Sequence, residues 1–154
     1  MGGDPIEWCV MRSVVIYESK TGNTERAARL IAKELVAAGH EVAVFPTKAV
    51  DLKTVADADL IIAGTWVDGL ILFGHRPGGA GTWVKYVPEM WDKPTFAFMT
   101  YAARPGNAIG KFSDLLRALG CDVRGGLELH RKHLDTDAVD FTAAVLDAVA
   151  KVPV

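Results

Sequence analysis

From Val14 to Ala28 the chain reads Val-Val-Ile-Tyr-Glu-Ser-Lys-Thr-Gly-Asn-Thr-Glu-Arg-Ala-Ala. Ser19, Thr21 and Thr24 bring three hydroxyls close together, with the cation Lys20, the amide Asn23 and the Cβ-free backbone of Gly22 among them. An apolar run precedes these residues and an amphipathic run follows, so the order is strand, loop, helix. A loop in that place aims successive backbone N–H groups and its hydroxyls at one spot before a helix N-terminus, where the macrodipole favours negative charge. Gly22 lets the backbone come close to the anion. Between Ser19 and Thr24 there is no arginine, so neutral donors dominate. That suits a closely fitted phosphomonoester better than an extended polyanion.

The elements that must hold this loop alternate along the chain. A strand from Ser13 leads to a helix over Thr24 to Ala38, with Ala27, Leu30, Ile31 and Leu35 on one face and Gly39 as its stop. A strand over Glu41 to Phe45 follows, then a loop with a short helical turn capped by Asp51. Asp59 to Gly64 is a continuous apolar strand of the kind buried on both faces. After a long segment, Thr65 to Gly81, the pattern predicts a helix over Thr82 to Met90 and a strand over Thr95 to Thr100. A helix over Ala108 to Leu119, a strand over Cys121 to Leu129 and a last helix from about Asp137 to Lys151 complete it. Five strands alternating with helices predict an α/β three-layer sandwich with a parallel sheet, for which the economical order is 2-1-3-4-5. In such a sheet the ligand crevice lies beyond the carboxyl ends of the strands where the order reverses, at the loops after strands 1, 3 and 4. Residues 1–11 read as an N-terminal extension expected to be disordered, and 12–152 as one domain; 154 residues, half of them apolar, leave little for a second.

The loop resembles that of the flavodoxins residue by residue: an aliphatic pair, an aromatic, then Ser-x-x-Gly-x-Thr, with Ala28 and Ile31 at matching helix positions. Flavodoxin itself has the 2-1-3-4-5 order. The resemblance implies a flavodoxin-like fold and flavin mononucleotide (FMN) as cofactor, its phosphate on Ser19, Lys20, Thr21, Gly22, Asn23 and Thr24. It further implies a ring site at Thr65, Trp66, Val67, Asp68 and Gly69, with Trp66 stacking on the isoalloxazine. Thr100, Tyr101, Ala102 and Gly106 stand where backbone meets the pyrimidine edge. The expected role is electron transfer with a redox partner protein. The alternatives are an FMN-dependent oxidoreductase passing electrons from a nicotinamide cofactor to a quinone, or a flavodoxin fold serving only as a binding module.

Two features depart from the family. Net charge is only −2, not strongly acidic, and the run His130-Arg131-Lys132-His133 follows the last strand; it reads as a solvated loop or as a steering patch for an acidic or phosphate-bearing partner. The insertion Gly69 to Gly81 carries the apolar run Leu70 to Phe73, which must pack within a monomer or a homodimer, or line a quinone pocket. Cys9 and Cys121 form no Cys-x-x-Cys pattern, and the scattered histidines give no metal site beyond a weak His130-x-x-His133. The charge balance forces no strongly basic face, so no nucleic-acid partner is expected. No apolar stretch reaches membrane-span length, and the residues before Met11 lack the features of a secretory signal, so the cytoplasm is the expected location.

Overall fold

In the computed structural model the described residues are 10–68, 76–77, 83, 85, 87, 90–103 and 106–151. The strands are β1 (Arg12–Tyr17), β2 (Glu41–Pro46), β3 (Leu60–Asp68), β4 (Pro94–Tyr101) and β5 (Asp122–His130), and the helices α1 (Asn23–Ala37), α2 (Leu52–Ala56), α3 (Ala108–Ala118) and α4 (Leu134–Lys151). The five strands pair in parallel in the order 2-1-3-4-5, as the sequence predicts. A two-residue strand, Arg76–Pro77, adds an antiparallel pair to the end of β3. The expected disordered segment lies outside the described residues as far as residue 9, as do most of the 69–81 insertion and most of the helix expected over 82–90, of which Trp83 and Lys85 are helical. The folded part takes in Met11, which is buried and donates its N–H to His40 Nδ1 at 3.1 Å.

Strand alternation divides the core between the two faces of the sheet. Val15, Leu60, Ile62, Phe96 and Phe98 meet Ile31 and Leu35 of α1 and Phe141 of α4. Val14, Ile16, Ile61, Ala97 and Met99 meet Trp83 and the α3 residues Phe112 and Leu116. Burying each large side chain stabilises the fold by about 1.5–3 kcal/mol before conformational entropy is subtracted. One packing detail roots the candidate site. Gly64 faces Phe98 across the β3–β4 ladder, and its missing Cβ is filled by the Phe98 ring. The carbonyl of Gly64 accepts the N–H of Glu18 at 3.0 Å, which carries the β1–β3 ladder one step into the loop.

Two boundaries differ from the sequence expectation by more than one residue. β3 runs through Thr65, Trp66 and Val67 to Asp68 where a loop was expected after Gly64, because Trp66 still pairs with Thr100 and Val67 pairs with Pro77. The last helix begins at Leu134, ahead of the expected Asp137, because Leu134 is buried in the core.

Candidate functional site at the carboxyl ends of β1, β3 and β4

The loop after β1 folds around one hydroxyl. Ser19 Oγ accepts the N–H of Gly22 at 3.1 Å and that of Glu25 at 3.3 Å, and Arg26 N–H reaches Gly22 O at 2.9 Å. Those three bonds account for the first helix donors except Asn23 and Thr24, whose N–H groups lie in the turn that has no intrahelical acceptors. Gly22 takes φ 96°, a left-handed conformation, and a Cβ there would meet nothing within 4 Å among the described residues. Glycine is therefore required for its backbone angle, which an L side chain adopts only with strain. Asn23 Nδ2 steadies the tip by donating to Thr21 Oγ1 at 3.4 Å.

Thr24 is buried, and its Oγ1 lies 2.8 Å from that of Thr100 at the end of β4. This hydroxyl pair ties the helix start to the strand end that leads to Tyr101. Nearby, Tyr17 donates its hydroxyl to Glu25 at 3.1 Å, and Arg29 holds the same carboxylate at 3.0 Å. Arg29 first and Tyr17 second hold the Glu25 carboxyl below its usual range, while burial and then Glu25 push the Tyr17 phenol up.

These elements enclose a cleft of about 120 Å³. Of the expected site residues, Lys20, Thr21, Asn23, Thr24, Trp66, Val67, Thr100, Tyr101 and Ala102 line it together. Ser19 shapes the loop from behind, Thr65 is fully buried, and Gly22 faces a shallow groove on the outer side of α1 with Arg26 and Arg29. Gly106 is not among the lining residues. Asp68 contributes described backbone paired with Arg76, and Gly69 lies outside the described residues.

Among the described residues, one that lines the cleft is absent from the site expected from the sequence. Arg131, from the turn after β5, joins the cleft wall. Its N–H donates to Tyr101 O at 2.9 Å, and the His130 ring meets the Tyr101 ring edge-on at 5.0 Å. Asp137 of α4 accepts the His130 N–H at 2.8 Å, and Lys132 N–H donates to His130 Nδ1 at 3.1 Å, so the turn is held on both sides. The signal was present in the sequence as a basic run directly after a strand, but only the sheet order carries that turn to this cleft.

The cleft's place at the strand-order reversal and its phosphate-type loop agree with the family comparison, which matches the flavodoxin domain over residues 14–111. The chain belongs to the flavodoxin domain family. Its fold is similar to the two-electron reduced flavodoxin of Megasphaera elsdenii, 22% identical, with a TM-score of 0.69 over 91% of this chain and 99% of that one. It is similar also to oxidised flavodoxin 1 of Bacillus cereus, 19% identical, with a TM-score of 0.64 over 92% and 99%. The rubredoxin oxygen:oxidoreductase of Desulfovibrio gigas is 23% identical, with a TM-score of 0.61 over 92% of this chain and 38% of that one. No curated protein matches the chain. FMN is the cofactor of the flavodoxin family, and the lining fits it: Lys20, Thr21, Asn23 and Thr24, from the loop and first turn of α1, share one cleft with the half-buried Trp66. No described helix is long and apolar enough to cross a membrane.

Proposed function

We propose that this flavodoxin domain carries electrons through FMN held in the cleft. The observation that supports this reading best is the convergence of the Lys20 to Thr24 loop, Trp66 and Tyr101 on one cleft. Bound FMN supplies reversible uptake of one or two electrons, and the protein supplies position and electrostatic tuning. On this reading the backbone of Thr21 to Thr24 and the neighbouring hydroxyls bind the phosphate, with Lys20 adding charge and Ser19 and Gly22 fixing the loop. Trp66 stacks on the ring and keeps water from one face, with Val67 beside it. Thr100, Tyr101 and Ala102 form the opposite wall. An enclosed volume of about 120 Å³ suits the phosphate and its ester chain. It falls below the roughly 300–1,000 Å³ of pockets that engulf a whole ligand. The ring therefore occupies the mouth, where a redox partner protein can approach it.

The test is direct. The purified protein should be yellow, release FMN on heating as identified by mass, and, once reduced by dithionite, pass electrons to an added acceptor protein. A preparation that retains and rebinds no flavin would sink the proposal. Rapid bleaching by NADPH alone, with transfer to a quinone, would move the reading to an oxidoreductase.

A further inference from the structure

We propose that Arg131 is a phosphate ligand, a guanidinium delivered from the turn after β5 to the anion end of the cleft. This inference rests on the reading of the cleft as an FMN site. The first observation is composition of the wall: Arg131 lines the same small cleft as Lys20, Thr21, Asn23 and Thr24, the residues of the loop at the start of α1.

The second observation is how the turn is fixed there. Arg26 in the first turn of α1 bonds Asp135 in the first turn of α4 at 2.8 Å, so the starts of the two helices are clasped together. Arg131 precedes α4 by only a few residues, and its N–H is held by Tyr101 O, one residue beyond the Thr100 that bonds Thr24. The turn after β5 is thereby placed beside the loop after β1, although β3 and β4 lie between the two strands in the sheet.

The third observation is charge. Arg26, Arg29, Arg117 and Arg124 each pair with a carboxylate, whereas Arg131 has no ion-pair partner among the described residues. No carboxylate is among the described residues lining the cleft. A phosphomonoester carries a charge of about −1.5 to −2 near neutral pH. Neutral N–H and O–H donors offset that charge only in part, and a guanidinium can complete the set with two parallel charge-assisted hydrogen bonds. Asp137 is then a positioning residue: by accepting the His130 N–H it fixes the turn from which Arg131 reaches.

The test uses the full-length protein stripped of flavin and titrated with FMN and with riboflavin, followed by flavin fluorescence, at low and high salt. Wild type should favour FMN, with an affinity that falls as salt rises. Arg131→Gln should weaken FMN about tenfold or more, leave riboflavin within about twofold, and flatten the salt dependence. Arg131→Lys should fall between. Asp137→Ala should weaken FMN but not riboflavin, and do so much less when Arg131 is already glutamine. Arg131 is exposed, so its variants should melt near wild type. If Arg131→Gln weakens both flavins equally, the guanidinium serves the ring and the proposal is overturned. If it changes neither, while wild type binds FMN, the proposal alone is overturned. A wild type that binds no flavin overturns the FMN reading underneath it.

Discussion

Replacing Gly64 by alanine tests the packing that roots the phosphate loop. A Cβ at that position would stand 1.9 Å from Phe98 Cζ and 2.1 and 2.4 Å from the two Cε atoms. Carbon atoms in contact settle at about 3.5–4.0 Å, so the ring must retreat by roughly 1.6 Å or more. It has little room to do so. Phe98 is fully buried and meets Phe141 edge-on at 5.8 Å. Overpacking of this kind costs about 1–3 kcal/mol, and disturbing the aromatic pair puts a further ~0.5–1.5 kcal/mol at risk. With about 3 kcal/mol lost, and roughly 2–4 °C per kcal/mol for a chain of this size, Tm should fall by about 6–12 °C. Circular dichroism melts and urea titrations of flavin-free protein measure this. Adding Phe98→Leu in the Gly64→Ala background should cost less than it does in wild type, because the two changes share one space. A loss below about 0.5 kcal/mol, or strict additivity, would refute the claim that the Phe98 ring occupies the space of the missing Cβ. Since Gly64 O also receives the Glu18 N–H, FMN affinity should drop in the same variant.

Thr24→Val leaves the buried Thr100 hydroxyl without its partner, so stability should fall by about 1–3 kcal/mol, and saturating FMN should raise Tm less than in wild type; Thr24→Ser should restore both. Trp66→Phe should abolish most of the tryptophan quenching that FMN causes; an unchanged quench would assign the stacked indole to Trp83 or Trp91. Burial pushes the Cys121 thiol from 9.0 up to about 11, so in a Cys9→Ser background Cys121 should resist iodoacetamide at pH 8 until the protein is denatured. The neutral thiol's contribution to stability is whole below pH 9.0 and is lost as pH rises towards about 11, a window that urea midpoints at successive pH values can read.

The parts of the fold that depend on local pattern were legible in the sequence. The apolar run at Val14, the glycines at 22 and 39 and the 3.6-residue spacing of Ala27, Ile31 and Leu35 fix β1, the loop and α1; the alternation of strands with helices implies a parallel sheet, and the resemblance to flavodoxins implies its order. Features that depend on distant partners were not legible. The continuation of β3 through Trp66 requires Thr100 and Pro77 beside it, and no window around Gly64 contains them. The same holds for Thr24. As a sequence it is one more hydroxyl for an anion; in the fold it is buried against a threonine 76 residues away. Arg131 sits in a run of charges that composition assigns to solvent, and its turn comes next to α1 through the sheet order and the packing of α4 on α1, with the Arg26–Asp135 pair spanning their starts.

The Thr24 and Thr100 hydroxyls, 2.8 Å apart in a dry setting, hold two protons but share only one between them. The pair thus has two senses. In one, Thr24 donates and the spare proton belongs to Thr100; in the other, Thr100 donates and Thr24 can offer its own to the cleft. An anion that accepted from Thr24 at the start of α1 would select the second sense. A phosphate bound there would then be felt at the end of β4, beside Tyr101, through the orientation of the Thr100 hydroxyl. A cleft whose two walls are joined in this way is filled as a unit rather than wall by wall.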